Sequence, residues 1–274
     1  RLKFLVNDWG IEKFRDLVAE ELKILPHDDR WTGYLDKLLA DAKAPELNKE
    51  PAVINADSLN SDTEYGAWLK HNVREQKQEC YYVATLTLPL GDLTPSQMRS
   101  LADIGNRYAE GRFRTTVDQN LVLRWVRKVD LPALYQDLKK INLATGDFET
   151  IRAITACPGT DTCKLGVSAS RGLAGELRKQ LDNNQMNLPA SANDLNIKIS
   201  GCYNSCGQHH IADIGFYGVS RKSGDYMVPF FQLVLGGQME ENAGQYGLAM
   251  MAIPSKAVPQ TIERLTGHYD KNRK

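Results

Sequence analysis

The sequence predicts an α+β chain: a helical leading segment, a compact β–α–β–β–α unit and a closing α/β segment. Three observations lead there. Apolar residues recur at helical spacing near the start, and the texture changes at Cys80 to a β-rich run. From Phe148 onward, short β-branched stretches surround one long amphipathic stretch.

Leu2, Leu5, Val6 and Trp9 open the chain at helical spacing, and after Gly10 the positions Ile11, Phe14, Leu17, Val18 and Leu22 put apolar groups on one helix face. Arg1 stands where a Met would begin a complete chain and no leader pattern follows, so a piece of a longer polypeptide is expected. Residues 26–62 mix Pro, Asp, Asn and Ser with short apolar pieces, predicting loops and one short helix around Leu35, Leu38 and Leu39. Residues 81–88 form a strand closed by Pro89 and Gly91. Thr94 then caps a helix with Pro95 just inside, Met98, Leu101, Ile104 and Tyr108 along it, and Gly111 beyond its end. Residues 113–126 read as a hairpin turning at Asp118-Gln119-Asn120, and residues 131–143 as a helix carrying Leu134, Leu138 and Ile141.

In the last segment, residues 151–156 read as a strand entering Cys157-Pro158-Gly159, and Leu173, Leu177 and Leu181 mark a helix reaching about residue 182. Ile197 and Ile199 form a strand ending at Gly201-Cys202. Strands at residues 212–219 and 230–235 follow, Gly236-Gly237 reads as a turn, and a last helix from Ser255 carries Val258, Ile262 and Leu265.

Composition narrows the function. Lys and Arg number 34 and Asp and Glu 34, a net charge of +0, which argues against a nucleic-acid partner. No apolar run approaches the roughly 18 residues of a membrane span. Five cysteines are too few for a secreted disulfide framework, and the odd count leaves a thiol over.

Four of the five, Cys157, Cys163, Cys202 and Cys206, lie in the last segment as C-x5-C and C-x3-C. Each pair follows a strand and has Gly or Pro beside it (Pro158, Gly159, Gly201, Gly207), where unpaired backbone N–H groups face outward. An iron–sulfur cube needs four thiolates and gains from N–H donors aimed at its sulfurs. Structural zinc, two disulfides and unrelated buried thiols stay open on spacing alone. Cys80 is expected as a buried structural thiol.

The stretch Thr155-Ala156-Cys157-Pro158-Gly159-Thr160-Asp161-Thr162-Cys163-Lys164-Leu165-Gly166, with Ile199-Ser200-Gly201-Cys202-Tyr203-Asn204-Ser205-Cys206-Gly207, resembles the cluster-binding region of the siroheme-dependent sulfite and nitrite reductases. Phe113-Arg114-Thr115-Thr116-Val117-Asp118-Gln119-Asn120-Leu121 is similar to the strand preceding it in that family's second ferredoxin-like half-domain, and Trp9-Gly10-Ile11-Glu12-Lys13-Phe14 to the helix upstream. Tyr203 departs from the usual Pro, which bears on turn stiffness more than on ligation.

The resemblance implies a helical tail of an upstream domain at 1–79, a ferredoxin-like half-domain at 80–147 and a [4Fe-4S]/siroheme domain at 148–274. It implies Cys157, Cys163, Cys202 and Cys206 as cluster ligands, with Cys206 bridging to the siroheme iron, and six-electron reduction of nitrite or sulfite. The electron donor would be ferredoxin or a flavoprotein. Siroheme is rich in carboxylates, and residues 107–128 hold Arg107, Arg112, Arg114, Arg124, Arg127 and Lys128 against Glu110 and Asp118. Arg114 is the leading candidate to meet it, then Gln119 and Asn120 as polar groups facing the cofactor, with Asn204 and Lys164 beside the cysteines. His209 and His210, expected on a strand, would point in two directions, with at most one toward the site. No catalytic residue is assigned in this half. The family's main anion-binding basic residues lie in the other half, so the isolated chain is expected to be inactive and its complement to be a partner. An electron-transfer module without siroheme and a zinc-stabilised domain are the competing classes. Free thiolates on an oxygen-sensitive cluster point to the cytoplasm.

Overall fold

The computed structural model describes residues 2–41, 43, 63–239 and 244–273. Loop expectations at 44–62 lie outside the described residues. Two compact units divide the chain near residue 46. The first holds α1 (Leu2–Trp9), α2 (Ile11–Ile24) and α3 (Arg30–Asp41), with Gly10 at φ 83 breaking the first two apart. Most of its apolar positions, among them Trp9, Ile11, Leu22 and Trp31, are exposed, and Leu5, Val6 and Phe14 are half-buried.

The second unit contains two cores. In the first, α4 (Thr63–Asn72), β1 (Val73–Glu75), β2 (Tyr81–Leu86), α5 (Pro95–Tyr108), β3 (Phe113–Thr115), β4 (Leu121–Arg127) and α6 (Leu131–Lys140) build an antiparallel sheet of order β1-β2-β4-β3 with helices on one face. Trp68, Leu101, Ile104, Leu134 and Leu138 pack there on Ala84, Leu86 and Leu123. This core begins before Cys80: Trp68 is fully buried in it and β1 pairs with β2, a strand too short to show a period of its own. Cys80 is exposed at φ 67, because it occupies the left-handed position of the turn entering β2; the expected buried thiol is not what the structure shows. Thr94 and Gln97 form a reciprocal capping box at the start of α5.

The second core combines β5 (Thr155–Ala156), α7 (Ser170–Asp182), β6 (Ile197–Ser200), β7 (Ile214–Ser223), β8 (Tyr226–Leu235), β9 (Leu248–Pro254) and α8 (Val258–Asn272) in a sheet of order β5-β6-β7-β8-β9. β5, β6 and β7 run parallel, and β8 and β9 continue antiparallel. β5 is shorter than expected, since Ile151 N–H bonds to Asn193 O at 2.8 Å and Ala153 N–H closes a turn on Thr150 O at 2.8 Å. α7 and α8 bury Leu177 and Ile262 against Ile197, Ile199, Phe216 and Phe231. Residues alternate across a strand, so Lys198 and Ser200 project to the face away from the helices.

Parallel neighbours cannot be joined by tight turns, so the chain must leave the carboxyl ends of β5 and β6 in crossover connections. Both cysteine pairs sit in those connections, Cys157 directly after β5 and Cys202 two residues after β6. Carboxyl ends of parallel strands are where open α/β sheets bind their ligands.

Candidate functional site

The ladder brings the two loops together. Ala156 pairs with Ile199, and Cys157 N–H continues the pairing to Ile199 O at 3.1 Å. Cys157 Sγ accepts the Gly201 N–H at 3.1 Å and lies 3.4 Å from Ser170 Oγ, which itself donates to Cys157 O at 2.7 Å. The Gly201 carbonyl in turn accepts N–H groups of Val167 and Ser168, at 2.8 and 3.0 Å. The loops touch backbone to backbone: a Cβ on Gly201 would stand 2.6 Å from the Gly159 Cα, and one on Gly166 2.8 Å from the Gly159 carbonyl carbon.

Cys202 is buried with Cys157, whereas Cys163 and Cys206 are exposed, and all five thiols are free of disulfides. Cys206 is held in a tight curve. Ser205 and Gln208 on either side take φ 61, a conformation that costs a non-glycine residue energy and persists only where surrounding contacts fix it. Gly207 N–H donates to Ser200 Oγ at 3.1 Å, and a Cβ there would meet Ile199 O at 2.2 Å.

Ser200 Oγ also lies 2.9 Å from His209 Nδ1. Since Oγ accepts from Gly207, its own proton is available to Nδ1, which leaves the proton of a neutral ring on Nε2. Among the described residues, that Nε2 is buried without a hydrogen-bond partner. Burial, with the neighbouring His210, pushes the His209 pKa down to about 4, so the ring is neutral near pH 7. The two histidines sit in a 3-10 turn, not on a strand, because the chain folds back over Gly215, where a Cβ would strike His209 O at 2.0 Å. Their rings therefore meet at 4.0 Å, and His209 also faces Tyr217 at 4.8 Å. The signal for this pair was Gly215, four residues past His-His-Ile, which sequence reasoning missed.

Arg114 is exposed on β3, and alternation puts it with Arg112 and Arg124 on the sheet face away from the helices. Burial and then the charges of Arg114 and Arg112 lower the Arg124 pKa. Arg124 lies 4.8 Å over the Trp125 ring, and Arg112 meets Glu110 at 3.5 Å. Lys164 is exposed beside Cys163, and Asn204 is half-buried between Cys202 and Cys206.

Gln119 and Asn120 both bond to backbone. Gln119 Nε2 donates to Ala156 O at 2.8 Å, and Asn120 Oδ1 accepts the Leu88 N–H at 2.9 Å. Their amides brace backbone, Gln119 at the residue before Cys157 and Asn120 at Leu88, beyond the end of β2.

Among the described residues, no three His, Cys, Asp or Glu side chains surround one metal-ion position. A cube instead takes one thiolate at each of four separate irons. The features here suit it: four free thiols on two facing loops, an N–H on one sulfur and loop contact that only glycine permits.

Comparisons with known proteins agree. Residues 74–141 match the nitrite/sulfite reductase ferredoxin-like half domain, and residues 148–274 the nitrite and sulphite reductase 4Fe-4S domain. A ferredoxin–nitrite reductase of Synechococcus elongatus is 28% identical over 97% of this chain and 45% of its own length. A sulfite reductase [ferredoxin] of Mycobacterium tuberculosis is 30% identical over 100% of this chain and 44% of its own. The structure of the Mycobacterium tuberculosis NirA protein superposes with a TM-score of 0.66 at 26% identity, covering 100% of this chain and 45% of that one. The chain thus spans less than half the length of these relatives. With both of its structural modules matched, it belongs to the nitrite and sulfite reductase family, whose ferredoxin-like half domain and 4Fe-4S domain it carries.

Proposed function

We propose that this chain is the cluster-bearing part of an enzyme reducing nitrite to ammonia, or sulfite to sulfide, at siroheme coupled to a [4Fe-4S] cluster. The observation that carries this reading is the juxtaposition of two cysteine loops at the carboxyl ends of neighbouring parallel strands, closed by the Gly201 N–H on Cys157 Sγ. Cys157, Cys163, Cys202 and Cys206 would hold the cluster, with Cys206 sharing its sulfur with the siroheme iron. Bound there, the coupled pair supplies one-electron steps to an anion on the haem iron.

The residues of this chain contribute charge and position. The Gly201 N–H donates to the Cys157 sulfur and draws electron density from it. Arg114, flanked by Arg112 and Arg124, offers guanidinium forks to carboxylates, and Lys164 and Asn204 offer a cation and an amide beside the cysteines. Gln119 and Asn120 support the site through the backbone they hold. The two relatives named above are ferredoxin enzymes, which supports a ferredoxin as donor here. The oxygen-sensitive cluster supports a reducing compartment, the cytoplasm. The chain alone is proposed to be inactive until joined to the other part that its relatives possess.

An optical spectrum and an assay of the full-length protein, purified anaerobically, test the reading. A Soret band with a red siroheme band, and turnover of nitrite or sulfite with reduced viologen, are expected. A broad brown shoulder without haem bands would instead favour an electron-transfer module, and zinc without iron would sink both.

A further inference from the structure

We propose that the tip of the β3–β4 hairpin is a clamp fixing both cysteine loops, with Asp118, Gln119, Lys198 and Gln208 as positioning residues. The inference rests on the reading that those loops hold a cluster. Two adjacent residues of one turn reach both strands that launch the loops. Gln119 meets the Ala156 peptide edge-on, its Nε2 donating to the carbonyl at 2.8 Å and its Oε1 accepting the N–H at 3.3 Å, one residue ahead of Cys157. Asp118 pairs with Lys198 Nζ on β6, and the same ammonium donates to Gln208 Oε1 at 3.3 Å, two residues beyond Cys206.

Three features separate this from an ordinary surface contact. The Lys198 side chain is 11% exposed, so the ion pair with Asp118 is held largely out of bulk water. Gln119 and Gln208 both hold positive φ, 63 and 61, although neither is glycine, so the contacts of their side chains stabilise a backbone that would otherwise relax. The partners lie 37 and 80 residues apart in sequence, so local turn formation does not produce them. The hairpin belongs to the first core and the strands to the second, and the clamp transmits the position of one to the loops of the other.

Hydrogen exchange of the iron-free full chain and redox titration of the holoenzyme test this with Asp118→Asn, Lys198→Met and Gln119→Ala. In the iron-free chain, Asp118→Asn and Lys198→Met should speed exchange across residues 201–208 about tenfold. Gln119→Ala should do the same across residues 157–163, with the β7–β8 hairpin unchanged. In the holoenzyme, Asp118→Asn should raise the cluster's midpoint potential and Lys198→Met lower it, because one removes a negative charge and the other a positive one. A contact that stabilised the fold away from the cluster would give no opposed shifts. Wild-type exchange in both loops for all three variants, or shifts of one sign, would overturn the clamp. Asp118 is at a partly exposed tip, so Asp118→Asn keeps the test open if Lys198→Met does not fold. A wild-type protein lacking a [4Fe-4S] cluster would refute the parent reading instead, with the exchange measurements still deciding the clamp.

Discussion

At Gly201 the same peptide donates its N–H to Cys157 Sγ and lets the Gly159 backbone approach to a distance no side chain would permit. Gly201→Ala is therefore expected to destabilise the chain by about 2–4 kcal/mol in a urea titration. Gly267 in α8 has open space around it, and Gly267→Ala should stabilise by about 0.5–1 kcal/mol. His209 makes a second prediction. Its folded pKa is depressed to about 4 from 6.5, so as pH falls below 6.5 the unfolded chain takes up the proton first. Stability should decline between pH 6.5 and 4 and level off below, and His209→Asn should lose this part of the slope in denaturation series across that range. Cys206→Ser should abolish the haem–cluster coupling seen by EPR, while Cys80→Ser, at an exposed turn, should leave it intact; equal loss from both would reject Cys206 as the bridge.

Among elements, the sequence showed most clearly those whose signals are local. α5 carried its cap, its Pro and its terminal Gly in order, and Thr94→Ala should cost about 1 kcal/mol by removing the capping box, measurable as a lowered denaturation midpoint. The β3–β4 hairpin and the amphipathic helices α6, α7 and α8 were equally legible from their periodicity. β9 was not, because Leu248–Pro254 is rich in Ala and Met, has one β-branched residue and lies mostly exposed at a sheet edge. The outer half of the β7–β8 hairpin was missed for a similar reason: Ser220, Arg221 and Lys222 stand in solvent and resemble loop residues. The cysteine spacing was visible, but the parallel β5-β6-β7 order that makes the loops neighbours depends on strands some forty residues apart. The Gln119–Ala156 contact was not legible, because nothing near Gln119 in sequence announces Ala156 as its partner.

At the scale of the whole molecule, two cores of different architecture meet around one pair of loops. The first supplies a cationic sheet face and the hairpin tip, the second the four thiols. Chemistry that needs a cluster and a carboxylate-rich macrocycle would draw on both. All of this chemistry depends on one cube binding all four cysteines. Iron and sulfide analysis with Mössbauer spectroscopy, on anaerobic full-length protein and on single Ser variants at Cys157, Cys163, Cys202 and Cys206, measures that directly. The predicted result is about four irons and four sulfides per chain in the wild type, with the intact cube lost in every variant; zinc in place of iron, or a cube unaffected by any one of the four substitutions, would contradict it.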